Sequence, residues 1–267
     1  MPVTLPLLEA KKGRREPIVM VTAYDLPTAR AAEAAGVDLV LAGDTAASTV
    51  LGYGQTAEVS LEEMLVLTRS VRRGITAPLL VGDLPFGSYE ASHEQAIASA
   101  QRLVKEGGCD VVKFEGPAPA RAAALVDAGI PVMGHLGLTP QTVTMLGGSF
   151  KAQGRTAQAA GKLLADALSL QAAGCFALVL EAVPAKIGAL VTERLQIPTI
   201  GIGAGPATDG QVLVVNDLLG IFQGFQPRFV KRYRELGREM TEAVGAYAED
   251  VRARRFPAAW QSGSPRL

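Results

Sequence analysis

The chain has 267 residues, 48% of them apolar and 19% charged, a globular composition with ample material for a core. Lysine plus arginine balances aspartate plus glutamate at 26 each, and with no long basic run this argues against a nucleic-acid or anionic-membrane partner. No window reaches the uncharged length that spans a bilayer, the first 17 residues lack the apolar stretch of a signal peptide, and Cys109 and Cys175 stand in no metal-ligand spacing; a soluble cytoplasmic protein with buried, reduced cysteines is expected.

Short apolar runs alternate with helical segments along the chain. IVMVTAY (18–24) and DLVLAGD (38–44) come first, followed by a helix that opens at Ser60 with Glu63 three residues on, a capping box. PLLVGDL (78–84) precedes a helix with Ser92 and Gln95 in the same arrangement, ended by Gly107 and Gly108. DVVKFEG (110–116), an Ala-rich helix over about 118–128, IPVMGHLGL (130–138) and a second Ala-rich helix over about 157–173 follow. CFALVLEAVP (175–184), IPTIGIGAG (197–205) and DLLGI (217–221), the weakest run, complete the strands. From about 228 to 255 the spacing is helical with charged outer positions, and SGSPRL at the end is expected to fray.

Each run is nearly continuous in apolar residues, the mark of a parallel strand covered on both faces. Eight such alternations without a linker predict an α/β fold, a (β/α)8 TIM barrel. The expectation is a single domain over 1–267, with a short N-terminal extension (1–16), a helical C-terminal tail (about 228–267) and the active site at the C-terminal ends of the strands. A doubly wound open sheet stays open as an alternative, because the eighth strand is poor. The dinucleotide fingerprint is absent, since the glycines at 201, 203 and 205 have the wrong spacing; they either line a pocket or form a tight turn.

The polar residues of these runs gather at their C-terminal ends: Tyr24 and Asp25, Asp44, Asp83, Lys113 and Glu115, His135, and Glu181. Singly, each has a plain explanation, because aspartate caps helices and a lone histidine is commonly a satisfied core residue. Together they do not. Asp44, Asp83 and Glu115 end neighbouring strands, and crowding three carboxylates in a buried mouth is costly unless a cation neutralises them. Oxygen ligands favour a hard ion such as magnesium. Lys113 offers charge for a substrate carboxylate, and Glu181, two strands further round, is placed to act as a base apart from the metal. A set of ion pairs closing the barrel is the competing explanation. The segments after Asp44 and after His135 exceed a turn and are candidate lids or substrate walls.

The pattern from TAYD at Thr22 to PRFVKRY at Tyr233 closely resembles the ketopantoate hydroxymethyltransferase (3-methyl-2-oxobutanoate hydroxymethyltransferase) family. The carriers are GD at 43–44, DLPF at 83–86, VKFEG at 112–116, GHLGLTPQ at 134–141, QGR at 153–155, LVLEAVP at 178–184, and GIGAG with TDGQ between 201 and 211. The resemblance implies a (β/α)8 barrel that uses Mg2+ and takes 5,10-methylenetetrahydrofolate as co-substrate. It would transfer a hydroxymethyl group to 3-methyl-2-oxobutanoate, giving 2-dehydropantoate for pantothenate biosynthesis through a magnesium-stabilised enolate. It further implies Asp44 and Asp83 as metal ligands, Glu115 at the metal directly or through water, Lys113 on the substrate carboxylate, Glu181 as catalytic proton acceptor, and His135 lining the site. Thr45 stands in the substrate-binding set where the family typically has serine. A homodecamer is implied as the assembly, with the 2-oxo acid and the folate as the only partners. Two alternatives remain: a magnesium-dependent C–C lyase or mutase of the phosphoenolpyruvate mutase/isocitrate lyase group, and a non-catalytic barrel that binds an oxo acid.

Overall fold

The computed structural model describes residues 2–145, 153–222, 224 and 227–258. The Thr4 hydroxyl accepts the Leu7 N–H at 3.3 Å and starts α1 (Leu5–Arg14), a helix within what was expected only as an N-terminal extension. Strand and helix then alternate: β1 (Ile18–Thr22), α2 (Leu26–Ala35), β2 (Leu39–Ala42), the single turn α3 (Ala46–Thr49), α4 (Leu61–Arg72), β3 (Leu79–Asp83), α5 (His93–Arg102) and β4 (Val111–Lys113). They continue through α6 (Pro119–Asp127), β5 (Val132–Gly137), α7 (Ala157–Ala172), β6 (Ala177–Glu181), α8 (Ala185–Arg194), β7 (Thr199–Ile202) and β8 (Gly210–Leu213). All strand pairs are parallel and sequential, and β8 pairs with β1, so the sheet closes as the expected (β/α)8 barrel and not as an open sheet.

Strand periodicity builds the interior. Ile18, Met20, Leu39, Leu41, Val81, Val111, Met133, Ala177, Val179, Ile200 and Val212 point inward and form one buried cluster, which Leu8 of α1 joins. Burying each of the larger of these side chains contributes about 1.5–3 kcal/mol. The register stacks them in layers, with Met20 beside Leu39, Leu41 beside Val81, Val81 beside Val111, and Met133 beside Ala177. α1 is tied down by charge as well: Lys11 Nζ lies 2.6 Å from Asp38 Oδ1, and Lys12 Nζ lies 2.7 Å from Asp209 Oδ2.

Local signals held at the helix starts. Ser60 and Glu63 bond reciprocally at 3.2 and 2.8 Å. Ser92 accepts the Gln95 N–H at 3.1 Å, but the Gln95 side chain turns to the Ala91 N–H at 2.9 Å, so only half of the expected box forms. α5 runs on into a π-helical turn, Leu103–Gly107, which Gly108 ends in the left-handed conformation. Both cysteines are buried, free thiols, and burial pushes each up to about 12, so neither is reactive.

One strand was misplaced. The eighth is not DLLGI but Gly210–Leu213, and residues 217–221 begin within the short helix α9 (Val215–Leu218). The criterion of a continuous apolar run presumes cover on both faces. Here Gln211 faces outward and is exposed, and its register neighbour Val19 on β1 is 49% exposed. A strand with one open face carries polar residues in alternation and escapes that criterion.

After Val215 the chain forms a second compact unit. It contains α10 (Leu236–Arg252), inside the predicted helical tail, with Met240, Val244, Tyr247 and Val251 exposed at helical spacing. SGSPRL lies outside the described residues. Among the described residues, no helix is long and apolar enough to cross a membrane.

Candidate active site

The inward parity that fills the barrel also delivers its polar groups. Two residues beyond an inner-layer side chain on each strand stand Thr22 after Met20, Asp83 after Val81, Lys113 after Val111, His135 after Met133 and Glu181 after Val179. Glu115 follows Lys113 by the same step. All lie at the C-terminal ends of the strands, where barrel active sites form. Asp44 reaches the same place from the turn after β2, and its own N–H donates to Asp83 Oδ2 at 3.1 Å. Asp44, Thr45, Asp83, Lys113, Glu115, His135 and Glu181 all border one cavity of ≈ 50 Å³. Its opposite wall is apolar, with Val179, Ile202, Val212 and Val214. A larger cavity of ≈ 700 Å³ at the other ends of the strands, around Ile18 and Gly210, holds none of these residues, so convergence of polar groups and not volume locates the site.

Lys113 and Glu115 share a face, but they are not each other's closest partners. Lys113 Nζ is 2.8 Å from Asp83 Oδ1, its register neighbour across β3, and 4.0 Å from Glu115 Oε1. His135 Nδ1 lies 3.3 Å from Glu115 Oε1, and its Nε2 lies 3.2 Å from Glu181 Oε2 without hydrogen-bond alignment. Burial and the Lys113 charge would lower the His135 pKa, yet the Glu115 and Glu181 carboxylates raise it to about 9. Burial opposes ionisation of Glu115, but the charges of His135 and Lys113 outweigh it and hold its pKa low. For Asp44 the balance goes the other way. Burial, then Asp83 and Glu115, drive its pKa far above the ordinary aspartate value, and burial with Glu115 also raises Asp83 against the pull of Lys113.

Asp44 and Asp83 therefore resist ionisation where they stand, and a cation bound between them would favour their charged forms. Among the described residues, the buried Asp83 Oδ1 accepts no aligned hydrogen bond despite the nearby ammonium, and Asp44 Oδ2 accepts from the Gln141 side chain at 2.9 Å. Glu115 differs, with Oε2 taken by the Gln141 N–H at 3.0 Å and Oε1 by His135. Among the described residues no three His, Cys, Asp or Glu side chains are arranged to hold an ion. Magnesium, which usually takes one or two carboxylates and completes its shell with water and substrate oxygens, fits an aspartate pair.

A family model described as ketopantoate hydroxymethyltransferase matches residues 2–259. The chain belongs to the ketopantoate hydroxymethyltransferase family. It is 53% identical over 262 residues to the 3-methyl-2-oxobutanoate hydroxymethyltransferase of Oleidesulfovibrio alaskensis, covering 97% of this chain and 90% of that one. To the mitochondrial 3-methyl-2-oxobutanoate hydroxymethyltransferase 1 of Oryza sativa it is 51% identical over 263 residues, covering 96% of this chain and 72% of that one. Among solved structures, 2,3-dimethylmalate lyase, a phosphoenolpyruvate mutase/isocitrate lyase superfamily member, superposes with a TM-score of 0.61 at 14% identity, over 99% of this chain and 93% of that one. That second likeness is one of fold alone.

Around this cavity, sequence reasoning missed two side chains. Gln141, on a 3₁₀ turn (Pro140–Thr142), and Tyr89, in the segment after β3, are both 4% exposed and hydrogen-bonded to each other at 2.7 Å. Neither lies on a strand, so inward parity gave no signal for them. Of the two long segments, the first folds into α3 and a 3₁₀ turn (Thr56–Glu58), while residues 146–152 of the second lie outside the described residues. The run GIGAG supplies only Ile202 to the cavity, and Gly205, with φ +84 and packed against Ala185, belongs to the turn that follows.

Proposed function

We propose that the chain transfers the one-carbon unit of 5,10-methylenetetrahydrofolate to 3-methyl-2-oxobutanoate, giving 2-dehydropantoate and tetrahydrofolate in pantothenate biosynthesis. The observation that carries the reading is the pair of buried aspartates, Asp44 and Asp83, joined by the Asp44 N–H to Asp83 Oδ2 bond at 3.1 Å beside the Lys113 ammonium at 2.8 Å, in a chain of this family. Two free, buried cysteines suit the reducing cytoplasm, and the single-domain barrel with its tail and a homodecameric assembly belong to the same proposal.

Asp44 and Asp83 would hold magnesium, with Glu115 at the ion directly or through water. When bound, the ion supplies Lewis-acid charge beside the keto oxygen of the substrate. Lys113, already fixed against Asp83, neutralises the substrate carboxylate. The apolar wall of Val179, Ile202, Val212 and Val214 suits the branched alkyl chain and excludes water from it. Thr45 borders the same space. Glu181, with 17% of its side chain exposed where Glu115 has 2%, is the acid most open to an incoming substrate and accepts the proton from carbon 3. Carbon 3 then bonds to the methylene carbon of the folate while both carbon–nitrogen bonds of the methylene bridge break; one water supplies the hydroxyl oxygen, and the proton taken from carbon 3 together with one from that water restores the two N–H groups of tetrahydrofolate.

Deuterium exchange into 3-methyl-2-oxobutanoate, with and without magnesium and folate, tests the reading. Exchange that needs the metal but not the folate is expected. No exchange and no product under any condition overturns the assignment.

A further inference from the structure

We propose that Gln141 is the positioning residue of the Asp44 carboxylate, and that Tyr89 fixes the amide that does the positioning. The inference rests on the aspartate metal site proposed above. Every hydrogen-bonding group of the Gln141 side chain is used. Its Nε2 donates to Asp44 Oδ2 at 2.9 Å and to the Leu84 carbonyl at 3.0 Å, while its Oε1 accepts from the Tyr89 hydroxyl at 2.7 Å. Its backbone N–H donates to Glu115 Oε2 at 3.0 Å. One residue thus joins groups that follow β2, β3 and β4, up to 97 positions away in the chain.

Chemistry decides the orientation of the amide. A flipped amide would set its oxygen against Asp44 Oδ2 and the Leu84 carbonyl, both acceptors, so the NH2 must face them. Tyr89 reinforces this from the other side. Its oxygen accepts the Glu115 N–H at 3.3 Å, and its single proton goes to Gln141 Oε1 at 2.7 Å in preference to the Glu115 carbonyl at 3.3 Å. A relay of donors therefore runs from the β4 backbone through Tyr89 and Gln141 to Asp44. An amide suits the end of that relay better than an ammonium would. It holds one oxygen of Asp44 in place by a charge-assisted bond, yet it leaves the negative charge for a cation to bind.

The test titrates the metal-free full-length enzyme with Mn2+ and follows the free ion by electron paramagnetic resonance, in the wild type, Gln141→Met and Tyr89→Phe. Methionine keeps the length and removes both donors; the dissociation constant for Mn2+ should rise about 10–100-fold. Phenylalanine keeps the ring packed on Phe114, at 5.7 Å between centroids, and should raise it about 3–10-fold. A merely structural Gln141 would lower the metal-free Tm and leave Mn2+ affinity alone. Wild-type binding of Mn2+ with both variants within about twofold of it overturns this proposal and spares the metal site. Absence of Mn2+ binding in the wild type overturns both. If Gln141→Met fails to fold, Tyr89→Phe carries the decision.

Discussion

Replacing Gly137 by alanine should be among the most damaging single-methyl changes in the barrel. Gly137 ends β5 with φ +100, outside the region that side-chain-bearing residues readily adopt. An added Cβ would also run into the Glu181 carbonyl oxygen, with Val183 Cγ1 2.9 Å away. That carbonyl cannot simply retreat, because it accepts the Leu138 N–H at 2.9 Å. Backbone strain costs about 1–3 kcal/mol, overpacking about 1–3 kcal/mol, and a weakened backbone hydrogen bond about 1 kcal/mol. A total near 4 kcal/mol corresponds to a fall in Tm on the order of 10 °C for a chain of this size. Urea unfolding followed by far-UV circular dichroism measures it, with carbon-3 exchange as a second readout, since any shift of the Glu181 backbone moves its carboxylate. A loss below about 1 kcal/mol with normal exchange would refute the reasoning.

Gly161 offers the opposite sign: it lies exposed inside α7 with nothing near an added Cβ, so Gly161→Ala should stabilise by about 0.5–1 kcal/mol in the same unfolding assay. Glu181→Gln should keep magnesium and oxo-acid binding by calorimetry but slow carbon-3 exchange about 10²–10⁴-fold; undiminished exchange removes Glu181 from the role of base. Glu33 accepts the Thr76 N–H at 2.8 Å and the Thr76 hydroxyl at 2.7 Å, and these bonds hold its pKa below the ordinary 4.5. A depressed folded-state pKa gives stability that is present above the unfolded value and lost as pH falls through the folded one. The stability gap between wild type and Glu33→Gln should therefore narrow as pH drops from about 7 to about 3, and a gap independent of pH would contradict this.

The fold was legible because seven of its strands announce themselves as nearly continuous apolar runs. β8 was not, since Gln211 faces outward without cover, and the criterion that found the others discarded it. α1 escaped for a related reason. Its contribution is a single buried residue, Leu8, with Lys11 and Lys12 reaching acids 27 and 197 positions away, and no local periodicity records such partners.

The site was legible to the extent that it obeys the same two-residue step as the core. Asp83, Lys113, His135 and Glu181 are each the next inward position above an apolar layer, and Glu115 stands one step beyond Lys113, so on these strands the parity that fills the barrel also places a polar group at its mouth. That step gives the face but not the pairing. Lys113 and Glu115 look like an ion pair in sequence, whereas register sets Lys113 beside Asp83 and leaves Glu115 to His135. The exchange of partners has a chemical consequence. Lys113 and His135 together hold the Glu115 pKa low against burial, whereas burial with the neighbouring carboxylates raises those of Asp44 and Asp83. Parity can predict neither that division nor Gln141, whose partners lie beyond strand ends, since both arise only when turns from three strands meet over the closed barrel.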